Sequence, residues 1–346
     1  MKTAIVHDWL VTRAGAEVVL ERILKHFPDA DLFCLIKKKN IVTSPSHFYD
    51  SIGTSILQRI PFITKNYRFF ARLMPFATER LDLRSYDLVI TSSWAFSHGI
   101  FKKNPNAKHI AYVHTPMRWA WDMEDEYLTK HNFPNFLTPI IKKQIRNLRE
   151  WDKVASQRPN VILANSKFVQ SRIKKFWNRE SKIIYPPVPF PKLIKKNKHN
   201  HFVSVSRLVP YKKVDLIVKA FAHLPEEKIY IIGDGPELRN LVKISTKNVN
   251  FLGYLSENRK INYISGSKGF IQASKEDFGI AVVESQACGT PVLAFKDGGA
   301  SETVNTNKEK PTGILFNTQS PTELAEIIKK FSKTSFSPID CKKNAL

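Results

Sequence analysis

The sequence predicts an α/β protein of two doubly wound, parallel-sheet domains. Three observations carry this. The chain has 346 residues, about twice the length of an ordinary domain. Short β-branched runs alternate with longer stretches of helical periodicity, the pattern of strands joined by crossover helices. One proline-rich and then basic stretch, YPPVPFPKLIKKNKHN at 185–200, interrupts the alternation near its middle, as a linker does.

The elements follow in order. TAIVHDW reads as a strand and GAEVVLERILKHF as the helix after it; LFCLI, YDLVITSS and HIAYVHT add strands; NVILANS leads into the helical FVQSRIKKFW. After the linker, HFVSVSRL, KIYIIGDG, VNFLGYL, GFIQAS, PVLAF and GILF form a second series. The expected division is a first domain at 1–188, a linker at 189–198, a second domain at 199–335 and a tail at 336–346. Two such domains in tandem are expected to face each other across a cleft lined by the carboxyl ends of both sheets, where these folds take ligands.

Composition narrows the function classes. Hydrophobic residues make up 42% and charged residues 25%, values of a globular chain. Against 31 acids stand 54 lysines and arginines, a net charge of +23, which favours nucleotides, phospholipid head groups or nucleic acid without choosing among them. Cys34, Cys288 and Cys341 are too few and scattered for a disulfide framework or a zinc site, in keeping with a reducing cytosol. His7 and Asp8 interrupt the first apolar run, and no long apolar stretch follows, so a protein that neither spans a membrane nor is exported is expected. The segment SILQRIPFITKNYRFFARLMPF at 55–76 interleaves Arg59, Lys65, Arg68 and Arg72 with large apolar residues. It reads either as a helix lying in a bilayer interface or as one packed on its own domain with a solvated basic face.

The richest chemistry lies in EDFGIAVVE at 276–284. GFIQAS ends as a strand, KEDFG turns, and IAVVESQACG begins a helix stopped by Gly289 and Pro291. That geometry puts Glu276 on the loop and Glu284 more than one turn into the helix. The backbone N–H groups of Phe278, Gly279 and Ile280 then open the helix, an anion site suited to phosphate. An acidic helix start explains Glu276 without function, but not Glu284 on an otherwise apolar, small-residue helix.

EDFGIAVVESQACGTPVLAFKDGGASETV resembles the family-4 glycosyltransferases, retaining enzymes with two Rossmann-like domains of the GT-B type, whose signature is two glutamates separated by seven residues. DWLVTRAGAE, AYVHTPMRWAWD, LANSKFV, IIYPPV, VSRLVPYKKVD and IIGDGPEL resemble further motifs in the family's order, through nearly the whole chain. HTPMRWAWD together with EDFGIAVVESQACG is most similar to bacterial mannosyltransferases of O-antigen and exopolysaccharide assembly.

The resemblance implies roles. Arg207 and Lys212 clamp the donor diphosphate, and two cations aimed at developing phosphate charge can stabilise a nucleotide leaving group without a metal. Glu284 takes the ribose hydroxyls, Glu276 the sugar hydroxyls. His114 touches the donor sugar, with Arg118 and Asp122 in the loop beyond it. Gly15 offers its N–H to the diphosphate or acceptor. Two departures bear on these roles: Lys213 follows Lys212 where the family often has glycine, and Ala14 replaces the first glycine of the amino-terminal loop. A front-face route is implied, with a double displacement through Glu276 as its alternative. The family also commonly has, after a segment like FSPIDCKKNAL, a helix that returns to brace the first domain, whereas here the sequence stops at Leu346, the last residue of that segment.

No metal or other cofactor is expected. The DAD at 29–31 has the spacing of metal-dependent transferases but reads as a strand-entry turn. The expected activity is transfer of mannose from GDP-mannose to a lipid-linked glycan by an enzyme peripheral on the inner membrane face. Two rivals are distinguishable from it. A nucleotide-sugar epimerase of related fold would need no acceptor, and a nucleic-acid binder would show steep salt dependence, though no nucleic-acid motif is present.

Overall fold

The computed structural model describes residues 1–39, 48, 51–131, 135–191 and 199–346. The chain divides into two compact units, Met1–Pro187 and Val188–Leu346. Most of the expected linker, residues 192–198, lies outside the described residues.

The first unit runs β1 (Thr3–Leu10), α1 (Gly15–His26), β2 (Asp31–Lys37), β3 (Gly53–Thr54), α2 (Ile63–Asn66), α3 (Met74–Glu79), β4 (Leu88–Ser93), β5 (Lys108–Val113), α4 (Glu124–His131), α5 (Thr138–Ala155), β6 (Val161–Ala164), α6 (Lys167–Trp177) and β7 (Lys182–Ile183). Its described strands form one sheet in the order β3-β2-β1-β4-β5-β6-β7, with every pairing parallel. Both faces are covered. Ile5, Leu20, Leu24 and Leu32 pack on one side, and Val6, Leu35, Met74 and Phe96 on the other. A parallel sheet buried on both faces reads as continuous apolar runs, and every residue of β1 is buried.

His7 and Asp8 break that rule; His7 Nδ1 lies 3.1 Å from Ser92 Oγ and His7 Nε2 lies 3.5 Å from Glu17 Oε1. The Asp8 carboxylate accepts the backbone N–H groups of Trp94, Ala95, Phe96 and Ser97 at 2.6–2.8 Å. It thereby caps the turn that leaves β4, as a buried carboxylate must be paired or hydrogen-bonded. In the DAD stretch, Asp31 opens β2 and accepts the Tyr86 hydroxyl at 2.7 Å.

The 55–76 segment is not one helix. It folds as a 3-10 turn at Ile56–Arg59, α2, a 3-10 stretch at Tyr67–Leu73 and the start of α3. Pro61 and Pro75 remove N–H donors from any continuous ladder, and Phe62 sits in the left-handed region at φ 56°. Leu57, Ile63, Tyr67 and Met74 point into the core, while Phe62, Phe69, Leu73 and Phe76 are exposed.

The second unit runs β8 (Phe202–Val205), α7 (Val214–Ala222), β9 (Ile229–Ile232), α8 (Leu238–Lys243), β10 (Val249–Gly253), α9 (Glu257–Gly266), β11 (Gly269–Gln272), α10 (Ile280–Ala287), β12 (Val292–Phe295), α11 (Ala300–Thr303), β13 (Gly313–Phe316), α12 (Pro321–Ser332) and α13 (Pro338–Ala345). The order β10-β9-β8-β11-β12-β13, all parallel, reverses direction between β8 and β11. Ligands of such sheets bind beyond the strand ends at that switch. The expected tail is helical. Ser337 caps α13 by accepting the Asp340 N–H at 3.2 Å, and Asn344 donates to Gln286 of α10 at 2.7 Å. Among the described residues no helix is long and apolar enough to cross a membrane.

Candidate functional site

The loop leaving β11 at the sheet's switch point carries Glu276. Gln272 and Ser274, polar residues on a buried path, hold its side chain: Oε1 accepts from Ser274 Oγ at 2.6 Å and from Gln272 Nε2 at 3.1 Å. Lys212 Nζ donates to both carboxylate oxygens, at 2.6 and 2.8 Å. Both members of the pair are mostly shielded from solvent, so the attraction is screened less than on an open surface.

Backbone contacts fix the same loop. The Glu276 carbonyl accepts the Gly299 N–H at 2.8 Å. Gly298, at φ 115°, lies so close that a Cβ there would stand 2.3 Å from the Glu276 oxygen; the position therefore admits only glycine without movement. Gly279, at φ 85° and ψ 58°, then turns the chain into α10. Ile280 opens that helix, and the N–H groups of Val282 and Val283 both donate to Gly279 O, at 2.9 and 3.3 Å.

Lys212 ends a 3-10 turn, Pro210–Lys212, anchored by buried Leu208 and Val209. Leu208 N–H donates to Asp234 O at 2.9 Å, tying this loop to the one after β9. Lys213 takes the left-handed conformation itself, φ 52° and ψ 35°. The lysine thus adopts the backbone a glycine would take there, at a cost of about 1 kcal/mol. Arg207, in the same loop, is exposed, and among the described residues its guanidinium makes no ion pair.

Glu284 lies within α10 and is buried. It is held by a different cation: Lys260 Nζ, on α9, lies 2.7 Å from Glu284 Oε1 and 2.8 Å from Glu257 Oε1. Burial pushes the Glu284 carboxyl up to about 7, with Lys260 pulling the other way. Sequence reasoning misses Lys260, because its partner lies on another helix and nothing local marks it. Gln272 and Ser274 did leave a signal, as polar residues ending an apolar strand.

In the first unit, β5 delivers His114. Its N–H donates to Ser93 O at 2.8 Å, its carbonyl accepts from Asn165 Nδ2 at 3.0 Å, and its Nε2 lies 2.9 Å from Ser92 Oγ. Burial and neighbouring His7 push its pKa down to about 3, so the imidazole is neutral. Arg118 is half-buried in the following turn. The Asp122 carboxylate is bonded to Arg172 of α6, whose guanidinium also reaches Pro116 O at 3.2 Å; this residue fastens the loop to the helix. Gly15 is the first residue of α1 rather than part of the loop before it.

Residues 189–346 match the family model described as glycosyl transferases group 1. The chain is 33% identical over 138 residues to a GDP-mannose-dependent monoacylated alpha-(1-6)-phosphatidylinositol monomannoside mannosyltransferase of Corynebacterium glutamicum, a match covering 36% of this chain and 35% of that protein. The chain thus spans about a third of that relative's length. It is 26% identical over 344 residues to an uncharacterised glycosyltransferase of Methanocaldococcus jannaschii, covering 92% and 90% of the two chains. Among solved structures, the Anabaena HepE protein in complex with UDP and glucose superposes with a TM-score of 0.69 at 20% identity, covering all of this chain and 95% of that one. The second unit carries a glycosyltransferase group 1 domain, and the two units have the parallel-sheet, Rossmann-like folds of GT-B glycosyltransferase structures.

Proposed function

We propose that this chain is a retaining, metal-independent hexosyltransferase that moves mannose from GDP-mannose to a lipid-linked glycan acceptor in the assembly of a surface polysaccharide. The observation that carries the reading is the Lys212–Glu276 pair, set between the Arg207 loop and the start of α10. Cations beside the start of a helix suit a diphosphate, and a fixed carboxylate beside them suits sugar hydroxyls.

In this reading Arg207, Lys212 and the amides at 278–280 take the charge that develops as the bond between C1 of the sugar and the diphosphate oxygen breaks. The acceptor oxygen bonds C1 from the same face and gives its proton to the departing phosphate. Glu276 and His114 orient the sugar, and Glu284 the ribose. Gly15 is assigned to the diphosphate or acceptor, and Arg118 to substrate binding. GDP-mannose is favoured as donor by the name of the corynebacterial relative. Acceptor-dependent release of GDP from GDP-mannose by the purified chain, without added divalent metal, tests the reading. Release of free sugar at the same rate without acceptor counts against it.

A separate observation supports work at an anionic membrane. Phe62, Phe69, Leu73 and Phe76 are 75%, 82%, 44% and 48% exposed, and Arg59, Lys65, Arg68 and Arg72 are exposed among them. No acid occurs from 51 to 78. Phe62 holds a left-handed φ of 56°, a strain that a residue with no special use rarely keeps. Aromatic side chains flanked by cations match the chemistry of a bilayer with negative head groups.

A further inference from the structure

A buried line of polar side chains joins the start of α1 to His114. Ala14 N–H donates to Glu17 Oε2 at 2.7 Å. Glu17 Oε1 lies 3.5 Å from His7 Nε2. His7 Nδ1 lies 3.1 Å from Ser92 Oγ, and Ser92 Oγ lies 2.9 Å from His114 Nε2. All four side-chain groups are buried, and sheet register sets the middle of the line, because His7 and Ser92 are direct neighbours across β1 and β4.

Counting hydrogens orders the line. The Ser92 hydroxyl has one hydrogen and faces two ring nitrogens, so it donates to only one of them. Glu17 already accepts from Ala14, and a carboxylate facing His7 Nε2 favours a hydrogen on that nitrogen. A neutral His7 then has its lone pair on Nδ1, which takes the Ser92 hydrogen. Ser92 is left to accept from His114 Nε2–H. The opposite order would set a ring lone pair against a carboxylate.

We propose that Glu17, His7 and Ser92 are positioning residues that hold His114 as its Nε2–H tautomer, so that Nδ1 is presented as a hydrogen-bond acceptor to a hydroxyl of the transferred sugar. The second half of this statement rests on the proposed function; the tautomer does not. His114 acts by accepting rather than by donating or by carrying charge, and its control lies at the far end of the line, in a residue that does not touch it.

The test is ring-nitrogen NMR of the histidine-labelled chain at about pH 8, above the ordinary imidazole pKa of about 6.5, with His114→Asn used to assign the signals. The wild type should show hydrogen on His114 Nε2. Free imidazole also leans to that form, so the decisive variant is Glu17→Gln. Its amide oxygen is needed by the Ala14 N–H, which turns the NH2 group toward His7 Nε2, sets a donor where the carboxylate stood and reverses the two hydrogen bonds that Ser92 makes. His114 should then carry its hydrogen on Nδ1, and KM for GDP-mannose should rise about tenfold, the worth of one hydrogen bond. Should Glu17→Gln fail to fold, Ser92→Ala serves: the slowly exchanging Nε2–H signal of His114 seen in wild type should be lost. Hydrogen on His114 Nδ1 in the wild type, an unchanged tautomer in folded Glu17→Gln, or a protected Nε2–H in Ser92→Ala would each overturn the proposal. An inverted tautomer with unchanged KM upholds the control of His114 by Glu17 and overturns the contact between His114 and sugar.

Discussion

Lys212 Nζ lies 2.6 and 2.8 Å from the two carboxylate oxygens of Glu276, sixty-four residues further along the chain. The lysine ends a turn after β8 and the glutamate leaves β11, neighbouring strands of one sheet. A pair formed across the switch point of a doubly wound sheet has the place of a ligand site. Partners that act as one unit do not lose function additively. Lys212→Ala and Glu276→Ala should each lower turnover by roughly 10²-fold or more, and the double variant should lose little beyond the worse single one. Steady-state GDP release by the three variants checks this.

Gly298 packs against the backbone of the same glutamate. Its φ is 115°, and a Cβ placed there would come within 2.3 Å of Glu276 O, which leaves no room for a side chain. Gly298→Ala should cost about 1–3 kcal/mol of stability and, by shifting the loop, lower turnover more than tenfold. Thermal melts and kinetics separate the two effects, and an alanine variant as active and stable as wild type would contradict the loop assignment.

Much of this site was legible in the sequence, and the reasons are local. Strand–turn–helix patterning placed Glu276 on a loop and Glu284 in a helix, and Gly279 marked the turn between them; α10 begins at Ile280 as that reading requires. What stayed hidden is what distance in sequence hides. Lys260 faces Glu284 from α9, and His7 reaches Ser92 through sheet register alone. The 55–76 segment misled because basic residues interleaved with large apolar ones suggest one helix, while Pro61, Pro75 and the left-handed Phe62 break the ladder that such a helix needs.

Glu284 predicts a pH dependence with two signs. Burial moves its carboxyl from the ordinary 4.5 up to about 7, so between those values the folded chain keeps a proton that the unfolded chain has lost. Its contribution to stability is then full below about 4.5 and declines as pH rises through about 7. Glu284→Gln should remove that decline, as urea unfolding at mildly acidic and mildly basic pH would show. Nucleotide affinity should run the other way, falling as pH drops below about 7, because ribose hydroxyls need the ionised acceptor. Lys260→Met removes the opposing cation and should move that midpoint upward in a titration of GDP binding against pH.

The exposed edge at 59–76 predicts membrane binding that depends on both charge and aromatic bulk. Each basic residue near a negative bilayer contributes about 1 kcal/mol. Arg68→Glu with Arg72→Glu should therefore weaken sedimentation with phosphatidylserine-containing vesicles by more than tenfold, and Phe69→Ser should weaken it further. Neutral vesicles should bind poorly throughout. Equal binding of wild type and the charge-reversed variant would contradict the assignment of this edge.

The central claim is that a sugar-nucleotide is held where Lys212 meets Glu276, and calorimetric titration of GDP-mannose into wild type, Lys212→Ala and Glu276→Ala tests it most directly. The account predicts saturable one-to-one binding by wild type, with affinity at least tenfold weaker in each variant while both remain folded. Wild-type affinity in both folded variants would contradict it.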